Sequence, residues 1–303
     1  MIWQGRDDGD DFLSQRIFQK VVLESNLANI AENDFVLQGF AVDEGVRRNK
    51  GRVGAKAAPD IIRKNMSNFP VIRPDFVLKD YGNIYCEDAN LEKSQNQLAK
   101  KVASALLKKA KSLVLGGGHE VTFAHYSGIR KAFPDKKIGI INIDAHFDNR
   151  EPAGALATSG TGFWQIARQG QIFSLHIGIQ KNSNTLKLFD TAHQSGMKYI
   201  LADEIFFENL PHIYHTIDQL VEQTDMLYLT ICMDVFNAAI APGVSATAYN
   251  GIFADPTFMH FFRHILKCDE LVAMDIAEVN PEYDEREKTA RLAASLLNEW
   301  LMM

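Results

Sequence analysis

The chain has 303 residues, enough for one large α/β domain or two small ones, and its 46% hydrophobic content can fill a sizeable core. A formal charge of −6 and a pI near 5.9 speak against a nucleic acid or an anionic membrane as partner. No apolar stretch approaches the roughly 20 residues of a membrane span, and three widely spaced cysteines make neither a disulfide framework nor a zinc ribbon.

The acidic start Met1-Ile2-Trp3-Gln4-Gly5-Arg6-Asp7-Asp8 lacks the apolar core of a signal peptide, so the expected address is cytoplasmic. Residues 36–42 read as a first strand. The basic run Arg47-Arg48-Asn49-Lys50-Gly51-Arg52 reads as a loop, either solvated or shaped to grip carboxylates or a second subunit. A helix over 90–111 carries Lys100, Lys101, Lys108, Lys109 and Lys111 on its expected solvated side. Further strands are expected at 113–115, 137–143, 174–179, 199–201, 227–233 and 270–276. Helices are expected over 120–133, 184–195, 207–224, Pro256–Leu266 and 285–303. This β-then-α rhythm, without repeat or linker, predicts one α/β unit with a parallel sheet and helices on both faces.

Four of the apolar runs end in groups that bind metals or ionise. Ser112–Leu115 leads to Gly116-Gly117-Gly118-His119-Glu120, and Ile138–Ile141 leads to Asn142-Ile143-Asp144-Ala145-His146-Phe147-Asp148. Leu227–Ile231 leads to Cys232-Met233-Asp234, and Leu271–Met274 to Asp275-Ile276-Ala277-Glu278. Alternate side chains of an extended segment project to one side about 6.5–7 Å apart. Asp144, His146 and Asp148 therefore form a comb able to surround two cations roughly 3.5–4 Å apart, the spacing of a two-metal hydrolytic site. In open parallel sheets the ligand crevice lies beyond the carboxyl ends of the strands, where these groups fall.

Other chemistries fail on spacing. The glycine turn is no P-loop, because no Gly-Lys-Ser/Thr follows, and it lacks the second histidine of a zinc-protease helix. No Gly-x-Ser-x-Gly elbow occurs. The remaining histidines, His125 and His176 among them, show no ligand spacing and read as structural or surface groups.

Together these residues resemble the ureohydrolase (arginase/agmatinase) superfamily, and within it the formimidoylglutamase branch. Gly117–His119, Asp144–Asp148 and Thr230–Asp234 with Ala241-Pro242-Gly243 carry the superfamily likeness; Asp43–Arg52, Phe147, Arg150, Ser159-Gly160-Thr161 and Asp275–Pro281 carry that to the branch. The resemblance implies a single three-layer α/β/α domain over 1–303, with a mainly parallel eight-stranded sheet and assembly into homo-oligomers. It implies metal-dependent hydrolysis of N-formimidoyl-L-glutamate to L-glutamate and formamide by a metal-bound hydroxide, with Mn²⁺ as the expected cation. By the same likeness His119, Asp144, His146, Asp148, Cys232 and Asp234 occupy metal-ligand positions. Asp148 would shuttle the proton, and Glu278 would hold the amidine nitrogen. Arg150 and Ser159, with Arg47 or Arg48, would meet the substrate carboxylates.

The central departure from the pattern is Cys232, which stands where the family has a bridging aspartate; Gly162, Asn237 and Thr247 replace prolines usual in the branch. A thiolate at Cys232 would favour Zn²⁺ or Fe²⁺, and a neutral thiol would leave the site partly filled. The competing readings are an agmatinase or guanidino-acid hydrolase, against which Phe147 and Arg150 argue, and a catalytically impaired family member.

Overall fold

All nine strands found among the described residues belong to one sheet, and every pairing in it is parallel. The computed structural model describes residues 2–9, 11–154 and 156–303. In chain order the strands are β1 (Val21–Leu23), β2 (Phe35–Ala41), β3 (Leu78–Tyr85), β4 (Lys111–Gly116), β5 (Ile138–Ile143), β6 (Phe173–Ile179), β7 (Lys198–Leu201), β8 (Met226–Cys232) and β9 (Leu271–Ala277). They lie in the order β1-β3-β2-β4-β9-β8-β5-β6-β7. The sheet thus has nine strands rather than the expected eight. The two extra to the sequence reading are β1, only three residues long, and β3, whose Asp80, Gly82 and Asn83 break the apolar pattern of a buried strand.

The helices are α1 (Glu44–Arg48), α2 (Ala58–Met66), α3 (Leu91–Leu106), α4 (Val121–Ala132), α5 (Gly162–Ala167), α6 (Leu186–Ser195), α7 (Leu210–Glu222), α8 (Pro256–Leu266) and α9 (Lys288–Leu301). Side chains alternate across the central strands, so each face builds its own core. Leu113, Leu115, Leu229 and Ile231 pack with α2, α7, α8 and α9. Val114, Ile138, Ile140 and Tyr228 pack with α3, α4, α5 and α6. This is the three-layer arrangement expected. No helix among the described residues is long and apolar enough to cross a membrane.

Two local expectations change. Part of the basic run is not loop: Arg47 and Arg48 lie on α1 and pair with Glu44, and Arg48 also pairs with Glu92, while residues 49–52 follow as turn and loop. Lys111 is not on a helix face but opens β4, where its ammonium sits 5.4 Å from the Trp300 ring centroid and 5.8 Å from that of Phe35. Burial lowers its pKa.

The glycine turn after β4 is clamped between two neighbouring strands. Gly118 N–H donates to Val42 O at 2.9 Å, and Glu278 N–H donates to Gly117 O at 2.8 Å. A Cβ on Gly117 would overlap the Val42 carbonyl oxygen, backbone that cannot swing away. Gly117→Ala is therefore expected to destabilise the protein by about 2 kcal/mol or more and to displace His119. Denaturant unfolding read beside metal uptake checks this, and an unchanged variant would refute the close approach.

Candidate metal centre

The four runs that end in metal-binding or ionisable groups finish side by side, because β4, β9, β8 and β5 are consecutive in the sheet. Register places Ile143 opposite Ile231, Ile231 opposite Ile276, and Cys232 opposite Ala277. The chain then leaves all four strands at one level, and their next residues share a crevice. Asp148 and Glu278 take the left-handed backbone, with φ of +46° and +66°. Non-glycine residues adopt this region at a cost of about 1–3 kcal/mol, and such strain concentrates at functional sites.

Two three-donor clusters form around one shared carboxylate. His119, Asp144 and Cys232 bring ligand atoms within 4.8 Å of one another, and so do Asp144, His146 and Asp234. His119 Nδ1 lies 3.0 Å from Asp144 Oδ2 and 2.8 Å from Asp148 Oδ2. His146 Nδ1 lies 3.2 Å from Asp234 Oδ2 and 3.6 Å from Asp144 Oδ1. His146 N–H donates to Asp144 Oδ1 at 2.8 Å, closing the start of the comb. All six residues given ligand roles, and Glu278 beside them, thus meet at one place.

The electrostatics fit cations. Burial raises the Asp148 carboxyl, with help from the charge on Asp144. Burial likewise raises Glu278 well above its usual range, helped by Asp234 and Glu120. The Cys232 thiol is pushed up by burial and by the four acids around it. Burial alone would discharge His119 and His146, but hydrogen bonds and charges from Asp144, Asp148 and Asp234 outweigh it and raise both imidazoles. Protons on the imidazoles thus offset crowded negative charge that divalent cations would offset better. Asp234 Oδ1 and Glu278 Oε2 are buried with no hydrogen-bond partner, as ligand-ready oxygens should be.

A layer behind the ligands sets their direction. Thr230 Oγ1 donates to Asp275 Oδ1 at 2.6 Å, so its single proton is committed. His119 Nε2, 3.0 Å from Thr230 Oγ1, must therefore donate, which leaves Nδ1 free to face the acids. Asp275 also accepts from Tyr228 and from His125 Nδ1, and His125 Nε2 accepts from Ser112. Ser112, His125 and Asp275 mimic a hydrolase triad, yet none has any solvent exposure, so the array positions and does not attack. Asn142, held by His176, reaches Asp144 Oδ2 at 3.4 Å; burial lowers His176 to about 3 and keeps it neutral. Sequence reasoning missed these groups. The available signal was Asp275, a carboxylate inside an apolar strand, which burial obliges to find several donors.

Above the clusters opens a cavity of about 180 Å³ lined by Asp148, Glu278, Arg150 and Ser159, together with Asn49 and Ser245. Arg150 is exposed, and its backbone N–H donates to Gly160 O. Asn49 Nδ2 donates to Ser159 Oγ at 3.3 Å. Arg47 and Arg48 do not line the cavity; Asn49 is the member of the basic run that does. A larger groove of about 710 Å³ beside Lys64, Arg286 and Arg291 contains no metal-binding cluster and carries no chemistry here.

A family model described as the arginase family matches residues 33–303. The chain is 41% identical to a formimidoylglutamase of Staphylococcus carnosus (strain TM300), with 99% of this chain and 97% of that protein covered. It is 42% identical to a formimidoylglutamase of Geobacillus sp. (strain WCH70), covering 99% and 94%. Among solved structures, formimidoylglutamase from Bacillus subtilis subsp. subtilis str. 168 matches with a TM-score of 0.88 at 22% identity, over 98% of this chain and 94% of that one. A Mn²⁺-bound Trypanosoma cruzi formiminoglutamase matches with a TM-score of 0.80 at 24% identity, over 89% and 93%. The two structures share this fold.

Asp275→Asn leaves one acceptor oxygen for the three donors Thr230, Tyr228 and His125, which disorders the layer behind His119, and should weaken metal binding about 10–100-fold. Chelator competition measures this, and unchanged affinity would rule out the positioning role. Glu120 gives a pH test. Burial, then the charge of Asp43, raises its carboxyl to about 8 from 4.5. The folded state thus holds a proton that the unfolded state releases between these values, and stability falls as pH rises through that window. Glu120→Gln keeps an acceptor for the Gly45 N–H and should gain on wild type by a few kcal/mol, to order of magnitude, from pH 5 to 9. Parallel pH profiles in metal-free protein would contradict it.

Proposed function

Because this chain belongs to the arginase family, with full-length formimidoylglutamases about 40% identical to it, we infer that it hydrolyses N-formimidoyl-L-glutamate to L-glutamate and formamide. The observation that carries the reading is the pair of donor clusters sharing Asp144 beneath a cavity that also holds Glu278 and Arg150. His119, Asp144, His146, Asp148, Cys232 and Asp234 would hold two divalent ions, Mn²⁺ by analogy with the Trypanosoma cruzi protein, with Zn²⁺ or Fe²⁺ favoured wherever Cys232 is a ligand. Such ions supply a lowered pKa for water and polarisation of the reacting carbon.

The chain's own groups do the rest. A formimidoyl group is planar and cationic, and it wants an acceptor of opposite charge. Glu278 fits: Oε1 is anchored by His119 N–H at 3.0 Å, while Oε2 is unpartnered and lines the cavity. Asp148 is placed to move a proton, because it lines the cavity beside both clusters with its Oδ2 2.8 Å from His119 Nδ1. It would take the proton of the attacking water and pass it to the departing amine nitrogen of glutamate. Arg150 and Ser159 stand at the cavity wall where the two substrate carboxylates would lie, with Asn49 and Ser245 as further donors. A guanidino substrate such as agmatine carries no carboxylate and would leave Arg150 without a partner.

Formamide release from formimidoylglutamate in the presence of divalent metal is the direct assay. Glu278→Gln should lower kcat/KM more than about 100-fold. Arg150→Met should raise KM about tenfold or more, in line with the loss of a charge-assisted hydrogen bond, and change kcat less. Faster cleavage of agmatine or a guanidino acid than of formimidoylglutamate would overturn the substrate assignment.

A further inference from the structure

The two donor clusters differ in one atom. On one side stand the His119 nitrogen, an Asp144 oxygen and the Cys232 sulfur; on the other an Asp144 oxygen, the His146 nitrogen and an Asp234 oxygen. Asp148 joins the first side, with Oδ2 at 2.8 Å from His119 Nδ1. That half therefore gathers nitrogen, oxygen and sulfur donors up to the four that zinc commonly takes. The other half has hard oxygens and one imidazole, with Asp234 Oδ1 buried and unpartnered beside it. Cys232 is 1% exposed and lies at the cavity floor with its sulfur within 4.8 Å of the His119 and Asp144 donors. No lysine or arginine lines the cavity except Arg150, which leaves the acids around the sulfur without a permanent cation of their own. Thiolate ligands select Zn²⁺ and Fe²⁺ over Mn²⁺, whereas carboxylates suit Mn²⁺.

We propose that the centre is intrinsically unequal: the Cys232 half takes a thiophilic divalent ion such as Zn²⁺ or Fe²⁺, and the Asp234 half takes Mn²⁺. This rests on the two-metal reading above and goes beyond it by giving each half its own metal. Cys232 would bind as thiolate, its proton released to water, and Asp144, which belongs to both clusters, would serve both halves.

The test uses the full chain, stripped with chelator and reloaded with Co²⁺ as a spectroscopic probe. The expected result is a sulfur-to-cobalt charge-transfer band that saturates at one equivalent and is displaced by Zn²⁺ but not by equimolar Mn²⁺. Cys232→Asp should lose the band and bind Mn²⁺ in both halves. Asp234→Asn, which leaves the sulfur half intact, should keep the band and lose the tightly held Mn²⁺, so the result does not depend on one variant folding. Co²⁺ uptake by wild type without a sulfur band, or two Mn²⁺ held with equal affinity, would overturn the inequality and leave the two-metal reading standing. No uptake of any divalent ion would overturn both.

Discussion

The architecture of the centre depends on one buried carboxylate, Asp144, which has no solvent exposure and belongs to both donor clusters. An isolated buried aspartate would be prohibitively costly. Here burial is opposed by hydrogen bonds and charge from His119 and His146, which hold the carboxyl below its ordinary range. His119 and His146 come from different segments, so their convergence requires β4 and β5 to end at the same level. The acid thus ties the sheet order to the chemistry: without that convergence it would be an unpaired charge in the core.

Around it the fold spends conformational strain and polar atoms where chemistry needs them. Asp148 and Glu278 both adopt left-handed backbone, one beyond β5 and the other beyond β9. Glu278 is fixed by its own N–H on Gly117 O and by His119 N–H on its carboxylate. The clamped glycine turn therefore sets the height of His119 and the reach of Glu278 together. Behind them Asp275 gathers three donors, and through Thr230 it dictates which imidazole nitrogen of His119 faces the crevice.

Charge is distributed with a direction. Acids crowd the floor of the cavity, whereas Arg150 stands at its wall and most other arginines near the mouth are already matched. Arg48 is spent on Glu44, Glu92 and the Ala157 carbonyl, and Arg52 on the carbonyls of Val244 and Ser245. The basic run that looked like a carboxylate grip is thus mostly a bracket holding the loops around the cavity. What it offers toward the cavity is neutral Asn49.

The sequence by itself pointed to the central strands, because buried parallel strands are continuous apolar runs, and to the candidate site, because four such runs end in a metal-binding or ionisable residue. It placed α8 at 256–266, as observed, and at the N-terminal end the reason is plain: the Asp255 side chain caps the helix by accepting from Phe258 N–H. It did not yield β1, whose three residues are too few for a pattern, or β3, where Asp80 is tolerated because the buried Arg63 pairs with it and Trp3 Nε1 donates to it. Nor did it yield α1 or α5, five and six residues long and each containing glycine, or the nine-residue α2. Tertiary structure alone decided which runs are neighbours, and with that the sharing of Asp144. It alone assigned Ser112, His125, Thr230 and Asp275 to one network. Those decisions rest on contacts between residues far apart in sequence, whose partners no local periodicity or propensity can name.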